Sequence, residues 1–212
     1  MKSEEKEISY TTTNSYSTLN TLKSSTKNVW FVCHGLGYLS RYFLKYFKHL
    51  NTDENYIIAP QAPSKYYVKQ DFKYVGASWL TKENTTTESK NILNYFDSIL
   101  QKENIPSNVN IIVFGYSQGV SVATRYVAFK QLQCHKLILH SGSIPKELNE
   151  NDFNFYNGQT HVVCGDKDEY ITPNRLQTEL KRAHTLFKNN LKVELFDGKH
   201  EVNINIIKAL AQ

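Results

Sequence analysis

The 212-residue sequence predicts a single α/β domain in which helices cover both faces of a mostly parallel sheet. Short continuous apolar runs, which are typical of strands buried on both faces, recur along the chain. Segments with apolar residues at helical spacing alternate with them. No internal repeat, low-complexity tract or linker interrupts this alternation, so we expect one three-layer domain over residues 1–212.

The predicted sheet begins with an antiparallel edge. Residues 7–13 and 16–22 are two runs rich in Thr and Tyr, separated by Asn14 and Ser15, and they predict an edge hairpin. The parallel strands are predicted from apolar runs at 28–33, 56–59, 111–114, 136–140, 160–165 and 192–196.

The predicted helices lie between these strands, with two start signals. Residues 85–88 fit a capping box, and Thr172-Pro173 is typical of an N-cap followed by proline in the first turn. Helical segments are therefore expected at 41–50, after residue 88, at 120–132, after residue 173 and at 204–210. Residues 64–84 have no clear period but are rich in aromatics, which predicts an ordered loop that walls a pocket or acts as a lid.

Composition excludes several classes of function. The formal net charge of +5 is spread along the chain without a basic block, so we expect no nucleic-acid partner. No apolar run is long enough to span a membrane, and the charged first residues lack the apolar core of a signal peptide. Three cysteines without zinc-site spacing predict reduced thiols, a cytoplasmic location and no metal.

The stretch that carries chemistry is Gly115-Tyr116-Ser117-Gln118-Gly119, between an apolar strand and a helical segment. This context is typical of a nucleophile elbow, in which small residues make room for a sharp turn that exposes a serine. The alternative is a glycine-rich turn without chemistry. The order of the other polar residues favours the first interpretation.

Ser117 needs a base, and the base needs an orienting acid. Asp168 follows one predicted strand and His200 follows the last, which gives the order serine, acid, histidine. Asp166 and Glu169 compete for the role of the acid, and Asp168 is preferred because it lies further into the loop than Asp166. The remaining six histidines lie in ordinary contexts or, at 34 and 140, near the site.

The oxyanion hole needs two N–H donors aimed at one point. The Gln118 N–H, next after the nucleophile, is one candidate. The second is the Leu36 N–H, because Gly35 and Gly37 let the backbone of the loop after the first central strand turn inward. We expect His34 to hold that loop.

Six motifs lie between roughly residues 28 and 205: His34-Gly35-Leu36-Gly37, Ala59-Pro60-Gln61-Ala62-Pro63, Ser78-Trp79, residues 115–119, Gly165-Asp166-Lys167-Asp168 and Gly198-Lys199-His200. Taken together, these motifs resemble the phospholipase/carboxylesterase family of α/β hydrolases. The resemblance implies an α/β-hydrolase sandwich without a large cap. It also implies Ser117, Asp168 and His200 as a triad with Leu36 and Gln118 as oxyanion donors. It further implies a monomer or a weak homodimer.

The resulting hypothesis is a cofactor-independent serine hydrolase that cleaves small acyl esters or thioesters. Acyl-protein thioesterases typically have Gly-Asp where this chain has Gly37-Tyr38, so a carboxylesterase is preferred over an acyl-protein thioesterase or lysophospholipase. The alternatives are a peptidase, lactonase or acyltransferase with the same triad, or a non-catalytic binding protein on this scaffold. The acyl pocket is expected to draw on Leu36, Tyr38, Trp79, Ile144 and Ile171, with Tyr66 and Tyr67 at its edge.

Overall fold

The structure, a computed structural model, describes residues 3–212. Its centre is a seven-stranded sheet with the strand order β1-β3-β2-β6-β7-β8-β9. The strands are β1 (Tyr16–Leu19), β2 (Asn28–Cys33), β3 (Asn55–Pro60), β6 (Asn110–Tyr116), β7 (Lys136–His140), β8 (Gln159–Gly165) and β9 (Leu191–Phe196). All neighbouring pairs are parallel except β1 with β3.

Helices connect the strands and cover the sheet. They are α1 (Ser40–Phe43), which continues into a 3-10 turn (Leu44–Phe47), α2 (Thr85–Glu103), α3 (Gln118–Phe129), α4 (Pro173–Phe187) and α5 (Ile204–Leu210). Two further 3-10 turns lie at Glu150–Phe153 and Lys188–Asn190. Within residues 3–212, no helix combines the length and the apolar content that crossing a bilayer requires.

Alternate residues of each central strand feed two separate cores, as the period of a strand requires. Val29 and Phe31 of β2 pack with α2, α3 and α4, where Phe96 and Tyr126 are fully buried. Trp30 of β2 faces the opposite side, among side chains of α1, its 3-10 turn and α5. The predicted three-layer α/β fold with a mostly parallel sheet is thereby confirmed, and the described residues contain no large cap domain.

The predicted N-terminal hairpin is wrong in its partner. β1 forms an antiparallel edge, but it pairs with β3, with Tyr16 opposite Pro60 and Leu19 opposite Ile57. Residues 3–15 contain no strand, and Ile8 and Tyr10 are exposed. An isolated two-stranded ribbon is at best marginally stable in water, whereas the second run gains a place in the large sheet by pairing with β3.

Residues 64–84 are more regular than expected. Two antiparallel strands, β4 (Ser64–Tyr67) and β5 (Val75–Ser78), form a small separate sheet. Its tip exposes aromatic side chains, among them Tyr67 and Phe72, whose rings meet edge to face. β5 anchors this hairpin because Gly37 N–H donates to the Ala77 carbonyl, 2.9 Å away.

The two predicted helix starts have different outcomes. The start of α4 is confirmed, with Thr172 as N-cap and Pro173 as the first helical residue. The capping box at residues 85–88 is absent: α2 begins at Thr85, its N-cap is Asn84 in the left-handed region at φ 48°, and no side chain caps it. Because the N-cap lies one residue earlier, Thr85 is already helical and its hydroxyl donates to the Thr81 carbonyl instead.

Candidate active site

The turn between β6 and α3 holds Ser117 in a strained conformation. Its backbone has φ 53° and ψ −118°, a region that non-glycine residues rarely occupy. The two flanking glycines allow the close approach this turn requires. A Cβ on Gly115 would lie 2.6 Å from Val120 Cα, and a Cβ on Gly119 would lie 2.1 Å from the Cys33 carbonyl oxygen. The turn therefore presents the Ser117 side chain at the carboxyl edge of the sheet.

Three side chains that the sequence predicted to act together form one hydrogen-bonded chain. Ser117 Oγ lies 3.0 Å from His200 Nε2, and His200 Nδ1 lies 2.8 Å from Asp168 Oδ2. Ser117 follows β6, Asp168 follows β8 and His200 follows β9, so the edge of the parallel sheet brings together residues that are 32 and 83 positions apart. With Nδ1–H donating to the carboxylate, Nε2 is free to accept the serine proton.

The surroundings of Asp168 keep its carboxyl group charged. Its side chain is fully buried. Burial by itself raises the pKa, but the hydrogen bonds from the Ile171 N–H, the His200 ring and the Tyr170 N–H outweigh burial and lower it. The two backbone donors lie 2.9 and 2.8 Å from Oδ1, which leaves Oδ2 for the histidine.

The competing acids have other positions. Asp166 is exposed, and its Oδ1 accepts a hydrogen bond from the Gly198 N–H at 3.2 Å, which ties the acid loop to the histidine loop. Glu169 is exposed, and its side chain makes no hydrogen bond or ion pair among residues 3–212. Asp168 is the acid that contacts His200.

Two tyrosines that sequence reasoning missed hold the His200 ring. The Tyr116 and Tyr170 rings lie 5.3 and 4.7 Å from it, centroid to centroid. The Tyr116 hydroxyl also donates to the His200 carbonyl at 2.9 Å. Both tyrosines neighbour predicted site residues in sequence, Tyr116 beside the nucleophile and Tyr170 two residues after the acid, and that adjacency was the available signal.

His140 is buried behind the site and does not line it. The Asn203 N–H donates to its Nε2 at 3.1 Å, so Nδ1 carries the proton and faces Ser141 Oγ at 3.2 Å. Burial, together with the nearby His200, lowers the pKa of His140 to about 3. Asn203 also caps α5 by accepting from the Ile206 N–H, so a neutral His140 fixes the segment that follows His200.

His34 is fully buried and binds three backbone segments together. Its Nε2 accepts from the Ala62 N–H at 3.2 Å, so Nδ1 carries the proton and donates to the Gly35 carbonyl at 2.8 Å. The Trp79 indole N–H donates to the His34 carbonyl at 2.7 Å. Burial lowers the pKa of His34 to about 4, which keeps the ring neutral. These contacts fix the loop that carries Leu36.

The two backbone N–H groups expected to bind an oxyanion, those of Leu36 and Gln118, have no acceptor within the described part of the chain. The Gln118 side chain points away from Ser117 and bonds the segment after β5. Its Oε1 accepts from the Trp79 N–H at 2.9 Å, and its Nε2 donates to the Leu80 carbonyl at 2.8 Å. The backbone N–H of Gln118 is therefore available to an oxyanion, while its side chain holds the segment after β5 in place.

A cleft of about 390 Å³ opens over Ser117 and His200. Serine, glutamine, arginine and histidine side chains line it together with apolar surface, and no carboxylate is among the lining groups. The lining residues are Leu36, Ser117, Gln118, Ser121, Ser141, Gly142, Ser143, Tyr170, Ile171, Arg175 and His200.

Only two of the residues predicted for the acyl pocket, Leu36 and Ile171, line this cleft. Trp79 is buried against His34 and Phe96, because its indole N–H has a partner inside the protein. Ile144 is also buried in that core. Tyr38 packs edge to face on Tyr116, on the other side of the sheet, and its hydroxyl lies 3.1 Å from that of Tyr46.

Comparisons with known proteins agree with this architecture. Residues 14–212 match the family model described as Phospholipase/Carboxylesterase. None of the curated proteins matches the sequence.

Several solved structures share the fold. A Zea mays acyl-protein thioesterase 2 is 14% identical with a TM-score of 0.73, over 93% of this chain and 96% of that one. A Dyadobacter fermentans phospholipase/carboxylesterase is 17% identical with a TM-score of 0.68, over 95% and 98%. A Bacillus cereus carboxylesterase is 15% identical with a TM-score of 0.67, over 92% and 91%. At these identities the likeness concerns the fold alone.

Proposed function

Because this chain belongs to the phospholipase/carboxylesterase family and is a hydrolase of the carboxylesterase and thioesterase type, we propose that it cleaves carboxylic esters through an acyl-enzyme on Ser117. Thioesters are included, since the same steps apply to a thiolate leaving group. The observation that carries the proposal is the unbroken hydrogen-bonded chain from Ser117 through His200 to Asp168.

In the first half of the reaction, His200 Nε2 takes the proton from Ser117 Oγ as the oxygen attacks the acyl carbon. The carbonyl oxygen becomes an oxyanion, which the Leu36 and Gln118 N–H groups stabilise. His200, now charged, is stabilised by the Asp168 carboxylate on its Nδ1–H. It then gives its proton to the alcohol or thiol as the bond to the acyl carbon breaks.

In the second half, His200 Nε2 takes a proton from water, and the hydroxide oxygen attacks the acyl carbon of the ester on Ser117. The same two N–H groups bind the second oxyanion. When the bond to Ser117 breaks, His200 returns the proton to Oγ, and a carboxylic acid leaves. No cofactor or metal takes part in this cycle, because every proton is carried by His200.

The compartment and the organisation of the chain belong to the same proposal. Cys33, Cys134 and Cys164 are all buried and free, which supports a reducing compartment such as the cytoplasm. Burial raises the pKa of the Cys134 thiol to about 12, so this cysteine is not a rival nucleophile. A single domain over residues 1–212 stays a prediction, supported by one sheet with strands from Tyr16 to Phe196.

The test is intact mass after treatment with a fluorophosphonate, for the wild type and for Ser117→Ala. We expect one adduct on the wild type and none on the variant, together with hydrolysis of acyl esters by the wild type alone. Absence of an adduct on a folded wild type would overturn the proposal and would favour a binding protein on a hydrolase scaffold.

A further inference from the structure

The wall of the cleft combines apolar surface with hydrogen-bond donors and one arginine. Among the side chains of the wall, only Leu36, Tyr170 and Ile171 are apolar or aromatic, and none is an acid. Two of the polar positions, Ser121 and Ser143, are each contacted by an arginine. The hydrogen-bond donors that these two serines and two arginines do not use within the protein indicate the substrate class.

The Ser121 hydroxyl accepts a hydrogen bond from Arg125. The Arg125 guanidinium donates to Ser121 Oγ and also pairs with the Glu147 carboxylate at 2.6 Å. Arginine only donates, so it occupies a lone pair of the serine oxygen and leaves the O–H proton for another acceptor. Because Ser121 lines the cleft, a ligand in the cleft can accept this proton.

Ser143 stands in the same relation to Arg175. The Arg175 Nη2 donates to Ser143 Oγ at 2.7 Å, and its Nη1 donates to the Tyr170 carbonyl at 2.9 Å. These two bonds use two of the five N–H donors of the guanidinium. Because Arg175 lines the cleft, its remaining N–H donors are available to a ligand there.

Arg175 is an exposed cation without a carboxylate partner in the described part of the chain. Unlike Arg125, it takes part in no ion pair among residues 3–212. It lies in the first turn of α4, a turn that contains no acidic residue. The helix dipole disfavours a cation at that end, so helix stability does not explain this arginine.

We propose that the cleft selects esters that carry a carboxylate in addition to the ester group, and that Arg175 binds this carboxylate. The proposal rests on the proposed hydrolase function. A planar carboxylate matches the guanidinium, and its single charge matches the single cation of the wall, whereas a phosphate monoester carries about −1.5 to −2 charges. The Ser121 and Ser143 hydroxyls supply further donors.

Four small esters and three proteins test this proposal. The first pair is monoethyl glutarate and its neutral primary amide, with the charge in the acyl part. The second pair is O-acetyl-lactate and O-acetyl-lactamide, with the charge in the alcohol part. Each pair is compared by kcat/KM for the wild type, Arg175→Gln and Lys181→Gln, a variant that removes one exposed charge from the same helix outside the cleft.

We expect the wild type to prefer the carboxylate over the amide by about 10-fold or more in at least one pair, as a charge-assisted hydrogen bond provides. In Arg175→Gln this ratio should fall to about 1, because the charge that creates the preference is gone, and in Lys181→Gln it should not change. Because the ratio compares two substrates on one protein, partial misfolding does not mimic the result. No preference in either pair, or an unchanged ratio in Arg175→Gln, overturns the proposal.

Failure of this inference differs from failure of the proposed function. If the esters that carry an amide are hydrolysed at the ester bond and fluorophosphonate labels Ser117, but the esters that carry a carboxylate are not preferred, only the substrate class is wrong. If no ester is hydrolysed and Ser117 is not labelled, the proposed function fails and this inference falls with it.

Discussion

Two histidines lie beside the turn that carries Ser117 and differ in what they contact. The His200 side chain is 14% exposed and has a carboxylate on one nitrogen and a serine hydroxyl on the other. His34 is fully buried, and both its ring nitrogens bond to backbone groups. The first is placed to move a proton, and the second to hold a loop.

The two histidines share a residue type, and the difference teaches that partners and burial are the physical basis of their separate roles. A histidine that moves protons needs an acceptor nitrogen open to the reacting group. A histidine that holds a loop needs both nitrogens saturated and a pKa low enough to stay neutral, which burial provides for His34. Five predictions test the contrast, from the largest expected effect to the smallest.

Replacing the proton carrier should remove activity without removing the fold. For His200→Gln we expect kcat to fall by about 10⁴-fold or more, because no other group accepts the Ser117 proton. Ester turnover and the urea unfolding midpoint measure the two effects. A variant that keeps a tenth of the wild-type kcat would show that His200 is not the base.

Removing the charge behind that histidine should have the next largest effect. Asp168→Asn keeps the shape of the acid but favours the wrong tautomer of His200, so kcat should fall by about 10³- to 10⁴-fold. The matched control is Asp166→Asn, the exposed carboxylate of the same loop, which should lose far less. Equal losses in the two variants would contradict the assignment of the acid.

On the loop-holding side, Gln118→Ala keeps the backbone N–H but removes the bonds to Trp79 and Leu80. We expect kcat to fall by about 10-fold, since small displacements of catalytic groups are costly. Gln118→Glu, which keeps the acceptor and loses the donor, should fall between the alanine variant and the wild type. A variant as inactive as His200→Gln would place the side chain itself in the chemistry.

Trp79 tests whether a buried aromatic holds the loop or binds the acyl chain. Trp79→Phe keeps a ring but leaves the buried His34 carbonyl without its donor, so the free energy of unfolding should fall by about 1–3 kcal/mol. The preferred acyl chain length should stay the same, because Trp79 does not line the cleft. A shifted optimum in a series of acyl esters would restore the pocket interpretation.

The smallest effect is a pH dependence of stability from His34 and His140, two of the buried histidines. Burial lowers the pKa of His34 to about 4 and of His140 to about 3, so below about pH 6.5 the unfolded chain binds protons that the folded protein does not. Stability is therefore present above about pH 6.5 and is lost as the pH falls towards 4 and 3. Between pH 7.5 and 5.5 we expect a loss of about 1 kcal/mol per histidine.

Urea unfolding at pH 7.5 and 5.5 measures this loss, and His140→Asn is the matched variant. The asparagine oxygen can accept from the Asn203 N–H but does not titrate, so the variant should show a smaller loss between the two pH values. The same loss in both proteins would mean that His140 does not set the pH dependence.

The meeting of Ser117, Asp168 and His200 was predictable because it follows from chain order and strand ends. Ser117, Asp168 and His200 each follow an apolar strand, and parallel strands deliver their carboxyl ends to one edge. The exposed hairpin of β4 and β5 was not predicted as strands. Its pairing depends on the anchor of Ala77 on Gly37 and gives no buried period to detect.

The pocket residues divide in the same way. Leu36 and Ile171 line the cleft over Ser117, and each lies in a loop next to a predicted functional group, but their binding of an acyl group stays a prediction. Trp79 was assigned from the same kind of position and is buried instead. An aromatic side chain near a strand end can face the core or the cleft, and only its hydrogen-bond partner decides which.

The sequence by itself determined the α/β class, the strand and helix order, and three polar residues at strand ends. These are properties of local period and chain order. The tertiary structure alone decided the pairing of β1 with β3, the burial of His34 and Trp79, and the hydrogen bonds from Arg125 and Arg175 to two serines of the cleft. Each of these depends on which distant segments come into contact, and contacts between distant segments leave no period in a single sequence.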